Sequence, residues 1–109
     1  MPKNVFIPNR SGHDFEPAKE FGRLIFMSEG QVSRFNISRM YSNFAQFMRD
    51  SSPHDYILMT GLSHMSSIAC ATFAFLHGRL NLLLYVGKGK YIVRTVVLSE
   101  LLEQKQNKD

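Results

Sequence analysis

Three short polar segments carry most of the reactive side chains in this sequence. They are Asn9-Arg10-Ser11-Gly12-His13-Asp14, Ser28-Glu29-Gly30 and Thr60-Gly61-Leu62-Ser63-His64. Each follows an apolar run, so each would sit at the carboxyl end of a β-strand. Acid–base chemistry would fall to His13, Asp14 and Glu29, an imidazole and two carboxylates placed to exchange protons across a crevice. The plainer alternative is two solvated loop carboxylates. A His-Asp pair such as His13-Asp14 also binds metal in some phosphohydrolases, which makes a small metal-assisted phosphohydrolase one candidate. Such sites need further ligands, and His54, His64 and His77 form no i, i+4 pair on one helix. No metal and no cofactor is therefore expected. A nucleophile would be Ser11, Ser63 or Cys70 beside a base, but Ser63 and His64 are only sequence neighbours and no triad-like pattern emerges. Whether the chain is an enzyme stays open, with binding favoured over catalysis.

The same segments suit ligand binding better. Ligands of open α/β sheets bind beyond the carboxyl ends of the strands, where the strand order reverses. Asn9, Ser11, Gly12 and His13 would face Thr60, Gly61, Ser63 and His64 if the first and third strands are neighbours. The last group leads into a helix N-terminus, whose free N–H groups and partial positive charge suit a phosphate or carboxylate. The expected ligand is a small anion or nucleotide. The segment is no P-loop, because Gly-Lys-Ser/Thr and Gly-x-Gly-x-x-Gly are both missing. Read without a ligand, Asn9, Gly12 and Asp14 are turn residues and Ser63 is a helix cap.

Basic residues gather at Arg34, Arg39 and Arg49, and again at Lys88, Lys90 and Arg94. The second group lies on a glycine-rich hairpin between Tyr85 and Tyr91. Lysines and aromatic rings together can contact a phosphate backbone and stack bases. Lysine also protects exposed sheet edges from aggregation, and that reading is preferred to nucleic-acid binding.

The elements that must position these groups alternate between strand and helix. Asn4-Val5-Phe6-Ile7-Pro8 reads as the first strand. A turn or two of helix around Pro17 follows, then a second strand, Arg23-Leu24-Ile25-Phe26-Met27-Ser28. Ile37, Met40, Tyr41, Phe44, Phe47 and Met48 fall on one face of a helix, with Ser33 or Asn36 as its cap. Asp55-Tyr56-Ile57-Leu58-Met59-Thr60-Gly61 is the third strand. The helix from Ser63 to His77 is apolar on nearly every side and is expected to be buried on more than one. Arg79-Leu80-Asn81-Leu82-Leu83-Leu84-Tyr85 is the fourth strand. The Gly87-Lys88-Gly89-Lys90 turn returns the chain as an antiparallel fifth strand, Tyr91-Ile92-Val93-Arg94-Thr95-Val96-Val97. Ser99 would cap a short final helix. This pattern predicts a single-domain three-layer α/β sandwich with a mostly parallel five-stranded sheet, order 2-1-3-4-5, and helices on both faces. The direction of the second strand is not fixed, since its connection is short for a crossover. The domain would span residues 1–103, followed by a frayed polar tail, 104–109.

Composition sets the outer bounds. At 109 residues, 44% hydrophobic and 20% charged, the chain fits one globular domain. The formal net charge of +4 permits an anionic partner without requiring one. One cysteine, Cys70, rules out an internal disulfide and reads as a buried inert thiol. No signal peptide and no run near the ~18 apolar residues of a membrane span is seen, so a cytoplasmic location without membrane contact is expected.

Four phrases carry a family resemblance: Ser11-Gly12-His13-Asp14-Phe15, Ser28-Glu29-Gly30, Ser51-Ser52-Pro53-His54-Asp55-Tyr56-Ile57-Leu58 and His77-Gly78-Arg79-Leu80-Asn81-Leu82-Leu83. Together they resemble small α/β proteins encoded by tailed bacteriophages, from about Val5 to Val97. The resemblance assigns no activity and no catalytic residue. It implies an accessory viral protein made in the host cytoplasm that binds a small ligand or a host protein. An interaction module using the apolar helix 63–77, for self-association or for a host factor, is the alternative function.

Overall fold

The computed structural model describes residues 2–10, 12–29, 36–60 and 63–106, with backbone only for Ser63, Leu102 and residues 104–106. Five strands form one sheet: β1 (Asn4–Ile7), β2 (Arg23–Phe26), β3 (Tyr56–Leu58), β4 (Arg79–Gly87) and β5 (Lys90–Val97). Among the described residues, three α-helices accompany them: α1 (Ile37–Met48), α2 (Ser63–His77) and α3 (Leu98–Gln106). A 3-10 helix, Glu16–Glu20, connects β1 to β2. The strand order is β2-β1-β3-β4-β5, as the sequence predicts. β1 pairs in parallel with both β2 and β3, β3 in parallel with β4, and only β4–β5 is antiparallel. The open question about β2 is thereby answered. A 3-10 helix suffices for the crossover because β2 lies beside β1 at the sheet edge.

Strand alternation sorts the core into two layers. Phe6 and Ile57 point to one face, where they meet Met40, Phe44 and Met48 of α1 and Met65, Ala69 and Phe73 of α2. Val5, Ile7, Leu58 and Leu83 point to the other face, where they meet Phe15 and Ala18. Phe6, Phe44 and Phe73 are fully buried; each such side chain stabilises the fold by about 1.5–3 kcal/mol. Among the described residues, the second face is covered by the 3-10 helix and its flanks, which leaves room there for cavities.

Local details differ from the sequence reading in four places. The apolar stripe of α1 is only partly buried: Met40, Phe44 and Met48 are covered, while Ile37, Tyr41 and Phe47 stay exposed. The buried three repeat every fourth residue and form one line, which the other three flank. α2 is buried through Met65, Ser66, Ala69, Thr72 and Phe73, yet Phe75 is 89% exposed. Ser99 lies inside the first turn of α3 rather than capping it, because the helix begins directly at Leu98. α3 also continues to Gln106, into the segment expected to fray. Asn36 caps α1, its Oδ1 accepting from the Arg39 N–H at 3.3 Å; Ser33 lies outside the described residues. No helix among the described residues is long and apolar enough to cross a membrane.

Candidate functional site

The loop after β1 and the end of β3 meet over one cavity of about 290 Å³. Its lining comes from the loop after β1 (His13, Asp14, Phe15), the end of β3 (Leu58, Met59, Thr60) and the β4–β5 hairpin (Tyr85, Tyr91). Phe15 explains why the first loop is there. It is buried against the second core layer and packs edge-on against Phe26, with ring centroids 5.6 Å apart. This anchor holds the exposed His13 and Asp14 at the cavity rim. Asp14 Oδ1 accepts the Glu16 N–H at 3.0 Å, a local turn at the entry to the 3-10 helix that holds the carboxylate.

Tyr85 and Tyr91 form the wall that the loop residues alone do not suggest. They are direct cross-strand partners in the hairpin. The Tyr85 hydroxyl accepts the Gly89 N–H at 3.1 Å, which ties the ring to the turn. Burial pushes the Tyr91 phenol above its ordinary pKa, and the neighbouring Tyr85 and Asp14 push it the same way. Tyr91 is therefore a neutral phenol that can donate as well as accept. Both tyrosines were visible in the sequence only as neighbours of a basic turn. That they face the first loop follows from the β3–β4–β5 register.

The remaining predicted residues are distributed as follows. Thr60 lines the cavity, and its N–H and hydroxyl also bond to Ser66 Oγ of α2, at 3.3 and 3.2 Å. Asn9 is buried and does not line it; Asn9 Oδ1 accepts from the Ser28 hydroxyl at 2.8 Å, which joins the ends of β1 and β2. His64 belongs to α2, does not line the cavity, and has a buried Nε2 without a partner among the described residues. Gly12 has open space around it. Ser11, Gly61 and the side chain of Ser63 lie outside the described residues. Glu29 bonds Arg10 at 2.8 Å and lines neither this cavity nor the next one. His13 and Asp14 are thus brought together with Thr60, and Glu29 stands apart.

A second, wider cavity of about 730 Å³ shares His13, Asp14 and Phe15 with the first. It extends toward β2 and is bordered by Arg10, Lys19 and Arg23, with Glu16 among them. The Arg10 guanidinium lies 3.7 Å from the Phe26 ring centroid, a cation–π contact.

On the hairpin, Lys88, Lys90 and Arg94 are exposed. Lys90 and Arg94 alternate with Tyr91 and Val93, so they project from the opposite face of the ribbon to the cavity. The expected combination of stacking rings and basic tip is divided between two faces. Cys70 is half-buried, burial raises its pKa, and its thiol lies 3.7 Å from Met59 Sδ. Among the described residues, no three His, Cys, Asp or Glu side chains are grouped to hold a metal ion.

At the other rim, Ser51 Oγ is 2.7 Å from His77 Nε2. The Ser51 hydroxyl also lies 2.6 Å from the Met48 carbonyl oxygen, and the Ser51–His77 pair joins the ends of α1 and α2.

The sequence matches the phage Pam3 gp32-like protein family over residues 3–97. The chain belongs to that family. No curated protein and no solved structure matches it.

Proposed function

We propose that this phage-family protein is a small accessory binding protein of the host cytoplasm, and that it holds an anionic ligand of nucleotide type over the carboxyl ends of β1 and β3. One observation carries the reading. His13 and Asp14 converge with Met59 and Thr60 on one cavity, and two tyrosines close it. Pockets that combine apolar and aromatic walls with a few convergent polar groups are the usual form of small-ligand sites. The position matches the rule for open α/β sheets, since β1 and β3 flank the point where the strand order reverses.

The test is thermal unfolding against a panel of nucleotides. A ligand present at ~100 times its dissociation constant should add about 2.7 kcal/mol. For a domain of this size that raises the melting temperature by roughly 10 °C. Flat melting temperatures across the panel would count against the reading.

A second reading is self-association through the outer side of α2. The exposed ring of Phe75 near the end of an otherwise apolar helix favours it. Light scattering should then show a dimer that Phe75→Ser dissociates. A strict monomer at high concentration would remove this reading.

A further inference from the structure

We propose that the ligand is a mononucleotide bound in one orientation, with its base in the tyrosine-walled cavity and its phosphate on the basic shelf of the adjoining cavity. This rests on the binding reading above and specifies how that site is divided. At about 290 Å³ the first cavity lies just below the range of about 300–1,000 Å³ typical of pockets for drug-sized ligands. It has room for a ring system and little more. Asp14 also lines it, and a phosphate inside would meet the negative charge of that carboxylate. A heterocycle with N–H groups on its edge fits both facts. The rings of Tyr85 and Tyr91 offer apolar area, and Asp14 offers an acceptor oxygen beyond the one that holds the Glu16 N–H.

The charged end of such a molecule must then leave past the shared wall of His13 and Asp14. Beyond that wall lies the 730 Å³ cavity with Arg10, Lys19 and Arg23. Lys19 pairs with Glu16 at 2.9 Å and Arg10 with Glu29 at 2.8 Å, both in exposed positions. Exposed pairs of this kind are worth about 0–1 kcal/mol and yield readily to a phosphate. Arg23 forms no ion pair among the described residues. Against Glu16 and the shared Asp14, the second cavity sets three cationic side chains, so it is the more positive of the two and suits the phosphate end of a nucleotide.

Calorimetric titration of the full chain with the common 5′-mononucleotides, their nucleosides and inorganic phosphate tests the orientation. The best mononucleotide should bind at least tenfold tighter than its own nucleoside, and inorganic phosphate alone should bind weakly or not at all. In Lys19→Ala/Arg23→Ala, two exposed positions, the ratio of nucleotide to nucleoside affinity should fall to near one. Tyr91→Leu should weaken nucleotide and nucleoside together, by tenfold or more. Equal binding of nucleotide and nucleoside by the unaltered chain would overturn the orientation while leaving the cavity a ligand site. Tight binding of inorganic phosphate unaffected by Tyr91→Leu would overturn it as well. Absence of binding by every nucleotide and nucleoside would overturn the orientation and the binding reading together.

Discussion

Tyr85 and Tyr91 face one another across the β4–β5 hairpin, with ring centroids 5.3 Å apart and planes at 60°. Edge-to-face pairs of this kind contribute about 0.5–1.5 kcal/mol beyond their burial. The pair therefore fixes the hairpin and forms a cavity wall. Lys88 and Gly89 make the turn with φ of 53° and 70°, both left-handed, as a two-residue type I′ turn requires.

Lys88 is the costly residue of that turn. A left-handed conformation costs a residue with a side chain roughly 1–2 kcal/mol, and asparagine tolerates it best. Lys88→Asn should stabilise the fold by about 1 kcal/mol in urea unfolding. It should leave ligand affinity unchanged, because Lys88 lines neither cavity. A loss of stability would show that the lysine side chain has a role beyond the turn.

Gly22 sets where β2 begins. A Cβ at this position would lie 2.3 Å from the Lys3 carbonyl oxygen, which itself accepts the Arg23 N–H at 2.9 Å. Backbone on both sides cannot move aside without breaking the β1–β2 pairing. Gly22→Ala should destabilise by more than about 1 kcal/mol. The effect would spread to the wide cavity that Gly22 borders. Unchanged unfolding would mean that β2 shifts freely against β1.

His77 predicts a pH dependence. Burial lowers its pKa below the ordinary 6.5, while Asp55 opposes the shift. The unfolded chain therefore takes up this proton at a higher pH than the folded chain. Stability present above about 6.5 is lost as pH falls through the folded value. Melting temperature should decline below that pH, and His77→Gln should lessen the decline. An identical pH profile in the variant would remove His77 as a contributor.

Much of this architecture was legible in the residues themselves. The alternation of apolar runs with helical spacing implies a mostly parallel sheet, for which the order 2-1-3-4-5 is one arrangement, and Gly87-Lys88-Gly89-Lys90 marks the antiparallel return. That order places the loops after β1 and β3 side by side; His13, Asp14 and Thr60 share the cavity, while Asn9 and His64 do not line it. What could not be read depends on register and burial. Tyr91 faces the first loop because it is two residues before Val93 on the same side of β5, a fact of pairing rather than of motif. Asp55 and Asn81 looked like ordinary members of apolar strands. In the fold both are buried clamps at the opposite rim. Asp55 accepts the N–H groups of Asn4 and Ser52, at 2.9 and 2.8 Å, and Asn81 donates to the carbonyls of Pro53 and Asp55, at 2.7 and 2.9 Å. Polar partners far apart in the chain leave no periodic trace. The exposure of Phe75 was hidden for the related reason that α2 is apolar on nearly every side.

In the proposed binding mode a small ligand occupies the place where the first loop, the end of β3 and the hairpin meet. Amide chemical-shift mapping during titration with a mononucleotide tests it most directly. Saturable shifts should centre on His13, Asp14, Thr60, Tyr85 and Tyr91, with the outer side of α2 silent. Shifts that gather around Phe75 instead, or a spectrum unmoved by any mononucleotide, would contradict it.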